Sequence, residues 1–159
     1  MKTIVIYGRR TPCWVALNYL MTKKNVFIKV VSDDENVLWL AEKLGSDIRP
    51  IQAYGFFDLL ICIHGTHIFT REELKQGVCV NIHPALEKYR GTNPIKRYIE
   101  NKDIDGSVSA HFMSEIIDEG EIIHTEYFET PICNSHADFY NCSYIHYLKT
   151  IDKVLEKVL

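Results

Sequence analysis

Residues 1–31, MKTIVIYGRRTPCWVALNYLMTKKNVFIKVV, set the pattern that decides the fold. Two short apolar runs, residues 4–7 and 26–31, have the length and the β-branched content of buried strands. Between them, apolar side chains recur at the spacing of one helical face. Thr11-Pro12 predicts the start of this helix, with Thr11 as the N-cap and Pro12 at the first position. A strand, a helix and a strand in this order predict a parallel sheet covered by helices.

The same alternation continues to the end of the chain. Further strands are predicted at residues 58–63, 78–82, 106–113 and 121–128. Helices are predicted to stop at Gly45 and to begin at the capping box of Thr70 and Glu73, at Asn93-Pro94 and at the capping box of Ser135 and Asp138. The predicted fold class is α/β, a Rossmann-like open and mostly parallel sheet with helices on both faces, in a single domain over residues 1–159.

Composition argues against several classes of partner. With 47% apolar residues among 159, the chain can form one substantial core. A net charge of -3 with dispersed Lys and Arg gives no electrostatic footprint for nucleic acid. No apolar run approaches the roughly 20 residues of a membrane span, and residues 1–7 are too short and strand-like for a signal peptide, so a cytoplasmic protein without membrane contact is expected. Five cysteines without close pairing are interpreted as reduced core residues.

One constellation of polar residues points to chemistry. Asn81-Ile82-His83-Pro84 ends a predicted strand, Tyr89-Arg90-Gly91 follows, and Ile117-Asp118-Glu119-Gly120 lies on a predicted loop between two strands. An amide can donate to a developing oxyanion, an imidazole exchanges protons near neutral pH, and a carboxylate orients or recharges the imidazole. Acyl transfer to an amine needs these three groups. The edge at which parallel strands end is also where ligands usually bind.

These motifs resemble the family of formyltransferases that use N10-formyltetrahydrofolate, whose hallmark is Asn-x-His, a Tyr-Arg-Gly turn and a later Asp before Gly. The resemblance implies that Asn81 holds the formyl oxygen and that His83 stabilises the oxyanion or passes the amine proton to the leaving nitrogen. It implies that Asp118 favours the charged form of His83 and accepts the amine proton. N10-formyltetrahydrofolate is the implied co-substrate, and no metal is needed.

The resemblance also implies a binding site for each substrate. Two loops would hold the folate through His64, Gly65, Thr66, His67, Ile68, Phe69, Ser114, Glu115, Ile116, Ile117 and Gly120. Tyr89, Arg90 and Gly91 would shape the acceptor side, and Arg9 and Arg10 would meet a phosphate.

Departures from the family pattern narrow the expected acceptor. The chain stops near Leu159 without the additional domain of tRNA-directed relatives, so formylation of methionyl-tRNA is not expected. Residues 8–12 lack the phosphate cradle of glycinamide ribonucleotide enzymes. The segment before the Tyr-Arg-Gly turn, residues 85–88, is one residue shorter than in the family and lacks its Pro. The expected acceptor is the primary amine of a nucleotide-linked amino sugar.

Alternatives stay open at this point. Water in place of the amine would make the protein a formyltetrahydrofolate hydrolase, and another small-molecule amine, such as glycinamide ribonucleotide, is a second enzymatic alternative. A noncatalytic α/β binding domain would use the acids at residues 32–35. His64 and His67 lack a third metal ligand. His111, His124 and Trp14 are interpreted as packing or surface residues, and a homodimer is left open.

Overall fold

The computed structural model describes residues 1–159 and contains seven strands and five helices. The strands are β1 (Lys2–Gly8), β2 (Val26–Val31), β3 (Asp47–Ile48), β4 (Leu59–Ile63), β5 (Val78–Pro84), β6 (Asp105–Phe112) and β7 (Ile122–Glu129). The helices are α1 (Arg10–Leu20), α2 (Glu35–Lys43), α3 (Arg71–Leu74), α4 (Pro94–Glu100) and α5 (His136–Val158). None of these helices combines the length and the apolar character needed to cross a membrane.

All seven strands join one sheet in the order β3-β2-β1-β4-β5-β6-β7. The first five in this order run parallel, whereas β6 and β7 are antiparallel to their neighbours. The chain changes direction along the sheet between β1 and β4, and a crevice opens at the carboxyl ends of strands around such a point. The predicted α/β class with an open, mostly parallel sheet is confirmed.

The two faces of the sheet are covered unequally. Along β1, Ile4 and Ile6 face a core of 22 buried residues under α1, α2 and α5. Val5 and Tyr7 face a core of nine buried residues that includes Tyr54, Phe57 and Phe69, with Leu74 of α3 packed against it. Because successive strand residues point to opposite faces, this alternation also fixes β5. Val80 and Ile82 join the larger core, so Asn81 and His83 face the other side.

Two local features differ from the sequence prediction. The start of α1 at Thr11 was wrong, because the helix begins at Arg10 and has Arg9 as its N-cap. The cap is supplied from elsewhere in the chain, since Asp34 Oδ2 accepts a hydrogen bond from the Arg10 backbone N–H at 2.8 Å. β3 was not predicted because it consists of two residues that pair with β2. The predicted capping box of Thr70 and Glu73 is present.

Candidate active site

Four polar side chains meet on the sheet face opposite α1 and α5. Asn81 and His83 extend from β5, and antiparallel pairing places His111 of β6 directly beside Asn81. Asp118 reaches the same point from the loop between β6 and β7. The Asn81 Nδ2 atom lies 3.3 Å from Asp118 Oδ1, and His83 Nε2 lies 3.2 Å from Asp118 Oδ2. We call Asn81, His83, His111 and Asp118 the polar cluster.

Asp118 is the hub of the polar cluster. Its backbone adopts φ +59°, in the left-handed region that Asp tolerates better than most residues. The carboxylate is 8% exposed, accepts the Gly91 backbone N–H at 2.8 Å, and also lies 3.5 Å from His111 Nε2. Burial opposes ionisation, but hydrogen bonds from His111 and His83, the charge of His83 and the Gly91 N–H outweigh it and hold the pKa of Asp118 well below its usual value. The cluster therefore contains a stable carboxylate.

His83 is surrounded by oxygen acceptors. Its Nδ1 atom lies 2.8 Å from the Pro84 carbonyl, and its Nε2 atom lies 3.2 Å from both the Gly91 carbonyl and the Asp118 carboxylate. Carbonyl and carboxylate oxygens only accept hydrogen bonds, so each ring nitrogen satisfies its neighbours by donating. The imidazolium is the form that donates from both nitrogens. The geometry therefore favours a His83 cation paired with Asp118.

His111 is a member of the polar cluster that the sequence interpretation missed. It is 2% exposed, and its Nδ1 faces the Phe112 carbonyl at 2.9 Å. Its Nε2 either accepts from Asn81 Nδ2 at 3.3 Å or donates to Asp118 Oδ1 at 3.5 Å, one at a time, so the ring can stabilise the amide or the carboxylate. The sequence does show a histidine on a predicted strand that could pair with β5. To place this histidine beside Asn81, however, one must know the register between the two strands, which the sequence does not give.

Asn81 is half-buried, and its amide nitrogen is shared between two partners. Asp118 Oδ1 and His111 Nε2 each lie 3.3 Å away, which is longer than the usual 2.9 to 3.0 Å of such hydrogen bonds. Long contacts of this kind are common in active sites without substrate. The amide can therefore exchange one of them for a ligand oxygen at modest cost.

The predicted turn Tyr89-Arg90-Gly91 reaches the polar cluster through its backbone. Gly91 has φ +81° and uses both its N–H and its carbonyl there. The Tyr89 ring instead packs toward Tyr98 and bonds Asp103, and Arg90 is exposed. Arg97 fixes the turn by donating to the Tyr89 and Arg90 carbonyls at 3.0 and 2.6 Å.

The first predicted folate loop divides into parts with different surroundings. The backbone N–H groups of Thr66 and His67 donate to the Tyr7 hydroxyl at 3.0 and 2.7 Å, and the turn begins at Gly65, where a Cβ atom would meet the Tyr7 ring. Phe69 is buried and Ile68 is 64% exposed. The His64 ring turns toward α5. No group of three His, Cys, Asp or Glu side chains is arranged to hold a metal.

The second predicted folate loop presents apolar side chains on its surface. Ile116 and Ile117 are 61% and 57% exposed, and the Ser114 hydroxyl donates to the Ile116 carbonyl at 2.8 Å. Glu115 pairs with Arg71 at 3.1 Å, so the loop is tied to the start of α3, next to the first loop. At the loop's end, Gly120 packs directly on the backbone of β6.

Arg9 and Arg10 lie apart from the polar cluster, at the start of α1. Arg9 pairs with Asp33 at 3.4 Å, and Arg10 lines a groove of about 600 Å³ between the N-terminal ends of α1, α2 and α5. We call this the α1–α5 groove. The structure thus separates the predicted site residues into a polar cluster with two flanking loops and a groove that carries Arg10.

Comparison with known proteins identifies the family. Residues 50–142, more than half of the chain, match the model of the formyl transferase family. The chain belongs to this family, and the family-level resemblance is confirmed.

Individual relatives agree with this family. The chain is 30% identical over 135 residues to the methionyl-tRNA formyltransferase of Borrelia hermsii (strain HS1 / DAH). The aligned segment covers 82% of this chain and 44% of the relative. A 4-N formyltransferase from Francisella tularensis has a similar structure, with a TM-score of 0.74, 25% identity, and coverage of 98% of this chain and 70% of that one. An N-formyltransferase from Helicobacter canadensis, in complex with folinic acid and dTDP-3-aminofucose, has a TM-score of 0.77 at 20% identity. The match covers 99% of this chain and 65% of that chain. The chain spans less than half the length of the curated relative.

Proposed function

We propose that this chain transfers a formyl group from N10-formyltetrahydrofolate to the primary amine of a nucleotide-linked amino sugar, in the cytoplasm. The observation that carries the proposal is the convergence of Asn81 and His83 on Asp118, with contacts of 3.3 and 3.2 Å. Membership of the formyl transferase family supports the reaction class. Five free cysteines suit a reducing compartment.

The two flanking loops fit a flat, partly apolar co-substrate. Ile68 on one loop and Ile116 and Ile117 on the other leave large apolar side chains in water. Exposed apolar side chains that cluster at a crevice are typical of ligand-binding surfaces. The exposed ion pair between Glu115 and Arg71, at the start of α3, shows that the second loop lies close to the end of the first. A pterin ring between them would cover these side chains while loop backbone groups bind its polar edge.

The polar cluster has the groups that formyl transfer requires. When bound, N10-formyltetrahydrofolate supplies an activated formyl carbon. Asn81 donates to the formyl oxygen as negative charge grows there. Asp118 accepts the proton of the attacking amine, directly or through water, and the His83 imidazolium protonates the departing N10 nitrogen. One C–N bond forms to the amine and one breaks at N10. The products are a formamide and tetrahydrofolate, and proton transfer from Asp118 to His83 resets the site.

The acceptor assignment rests on the α1–α5 groove. Arg10 provides a cation there, as a phosphate-bearing acceptor requires. The Helicobacter canadensis structure with dTDP-3-aminofucose shares the fold, which supports room for such an acceptor on this scaffold.

Methionyl-tRNA is a second candidate acceptor. The observation in its favour is the 30% identity to a methionyl-tRNA formyltransferase over 82% of this chain. The polar cluster would perform the same chemistry on the methionyl amine, so the two candidates differ only in how the acceptor is bound.

An acceptor panel tests the proposal. The protein is incubated with N10-formyltetrahydrofolate and, separately, with dTDP- and UDP-linked amino sugars, glycinamide ribonucleotide, methionyl-tRNA or no acceptor. Mass spectrometry then detects one added formyl group, and a formate assay detects hydrolysis. We expect formylation of an amino sugar. Formylation of methionyl-tRNA alone would establish the second candidate, and formate release without an acceptor would replace transfer by hydrolysis.

A further inference from the structure

The turn that carries Gly91 is held in place by side chains outside the polar cluster. Gly91 is the point at which this turn meets the cluster, because its N–H donates to Asp118 Oδ2 at 2.8 Å and its carbonyl lies 3.2 Å from His83 Nε2. Its φ is +81°, and no atom lies within 4 Å of the place that a Cβ would take. Local packing therefore does not fix this peptide, and its position depends on the contacts of the neighbouring backbone.

Arg97 of α4 fixes that backbone through one nitrogen atom. Its Nη2 donates to the Tyr89 carbonyl at 3.0 Å and to the Arg90 carbonyl at 2.6 Å. The Arg90 carbonyl and the Gly91 N–H belong to the same peptide group, which is planar. A donor that holds the oxygen of this group therefore also orients its N–H, and this is the N–H that Asp118 accepts.

The peptide group between Arg90 and Gly91 lies between opposite charges. The Arg97 guanidinium contacts its oxygen, and the Asp118 carboxylate accepts from its nitrogen. The carbonyl and the N–H of a trans peptide point in opposite directions, so both charges polarise the peptide in the same sense. Hydrogen bonds that involve an ionised group are also the stronger ones. The guanidinium and the carboxylate thus strengthen each other's hold on one peptide.

Arg97 is itself held on a well-packed element. Its guanidinium carbon lies 5.5 Å from the centre of the Tyr89 ring, within the range of a cation–π contact. The Tyr89 hydroxyl donates to Asp103 and accepts from Asn101 Nδ2 at 2.9 Å. The neighbouring Tyr98 is fully buried and anchors α4 in an apolar core. The Tyr89 side chain is therefore occupied in supporting Arg97 and the turn.

We propose that Arg97 is a positioning residue for formyl transfer, which holds the Arg90 carbonyl so that the Gly91 N–H meets Asp118 and the Gly91 carbonyl meets His83. This inference rests on the proposed function, because it takes the chemistry of Asp118 and His83 from there. Arg97 acts through the turn, so its loss should affect the rate of transfer and leave the binding of the folate unchanged.

Steady-state kinetics separate positioning from binding. Arg97→Met keeps an unbranched side chain that suits a helix and removes both hydrogen bonds. We expect kcat to fall about 10- to 100-fold with an unchanged KM for N10-formyltetrahydrofolate, since small displacements of reacting groups cost up to about 100-fold. Arg97→Lys should recover most of the rate, because both native bonds come from one nitrogen and an ammonium can also donate twice. Lys96→Met is the matched control and should react like wild type, because Lys96 is an exposed cation of the same helix.

The Gly91 amide gives a second readout that does not depend on activity. Labelling with [15N]glycine gives one amide signal for each of the eight glycines, and Gly91→Ala identifies the signal of Gly91 by its loss. This signal should lie downfield in wild type, because the N–H donates to a carboxylate. It should move upfield in Arg97→Met and stay in place in Lys96→Met.

Two results in a folded Arg97→Met protein would overturn the inference, namely an unmoved Gly91 signal or a wild-type kcat. If Arg97→Met does not fold, Arg97→Gln decides the matter in the same way. The Gln amide nitrogen would take about the position of Arg97 Nε, which has no hydrogen-bond partner, so both carbonyls would lose their donor. A Gly91 signal that moves as expected, with no formyl transfer by wild type, would support the hold of Arg97 on the turn and refute the proposed function. Formyl transfer by wild type with an unmoved signal in the variant would do the reverse.

Discussion

The polar cluster and the α1–α5 groove differ in how their polar groups are satisfied. In the cluster, His83, His111 and Asp118 are each at least 92% buried and are bonded to one another or to backbone groups. In the groove, the Tyr140 hydroxyl has no partner of normal hydrogen-bond geometry and lies beside the Arg10 guanidinium, which forms no ion pair with a carboxylate. The cluster is therefore preorganised for chemistry, whereas the groove holds donors ready for a ligand.

Replacement of Asn81 should disrupt the cluster side of this comparison most strongly. Asn81→Ala removes the proposed donor to the formyl oxygen, and we expect kcat to fall roughly 100- to 1,000-fold with little change in KM. Asn18→Ala on the exposed face of α1 is the matched control and should retain full activity. Steady-state kinetics on both variants give the answer, and a KM effect alone would assign Asn81 to binding.

Gly120 tests whether the position of Asp118 depends on the packing of its loop. A Cβ atom at Gly120 would lie 1.6 Å from the Phe112 carbonyl oxygen, which belongs to the backbone of β6. Gly120→Ala should therefore cost about 3 kcal/mol of unfolding free energy and reduce activity. Gly45→Ala is the control, since φ is +67° with no atom within 4 Å, and should cost only about 1 kcal/mol. Equal denaturation midpoints for the two variants would contradict this packing.

Acid should lower the unfolding free energy that the Asp118 carboxylate contributes. The pKa of Asp118 is depressed in the folded state, so its contribution is present above the unfolded value of about 4 and declines as pH falls toward the folded pKa. Urea unfolding of wild type and Asp118→Asn measures this. Wild type and Asp118→Asn have all other carboxylates in common, so the difference between their unfolding free energies reports on Asp118 alone. This difference should be smaller at pH 3 than at pH 7. An unchanged difference would mean that Asp118 is not selectively stabilised as a carboxylate.

The smallest expected effects are the stability changes caused by removing the hydroxyl group of each of two buried tyrosines. Tyr98 is fully buried and its hydroxyl is bonded to Thr130, so Tyr98→Phe should cost about 1 kcal/mol. Tyr140→Phe removes a hydroxyl that faces only the exposed Arg10 guanidinium and should change stability by less than about 0.5 kcal/mol. Thermal unfolding of both variants distinguishes these outcomes. A comparable loss for Tyr140→Phe would show that its hydroxyl is already used within the protein.

The fold was largely predictable because its signals are local. β2 was predicted with its observed bounds, and the capping box at Thr70 formed as its spacing indicated. At Ser135 only half of the predicted box formed, because Ser135 accepts the Asp138 N–H while the Asp138 carboxylate accepts the Asn134 N–H. The start of α1 was not predictable in the same way, since the group that caps it, Asp34, lies beyond β2. β3 was missed because two residues carry no periodicity, and only pairing with β2 makes them a strand.

In the candidate site, too, residues with a local sequence motif were predicted, whereas residues whose role depends on distant contacts were missed. Asn81, His83 and Asp118 were selected from their motif, and the structure brings them together. His111 was missed because its role depends on the antiparallel register between β5 and β6. Tyr140 was missed because the groove forms only when α5 packs beside α1.

Single-turnover formyl transfer by wild type, Asp118→Asn and Asp105→Asn tests the central claim most directly. Asp105 is exposed and outside the polar cluster, so its variant controls for the loss of one charge. With saturating N10-formyltetrahydrofolate and the acceptor found in the panel, we expect wild type and Asp105→Asn to react equally. Asp118→Asn should be slower by about 1,000-fold while retaining its circular dichroism spectrum. Wild-type rates in a folded Asp118→Asn protein would contradict the assignment of the polar cluster as the catalytic centre.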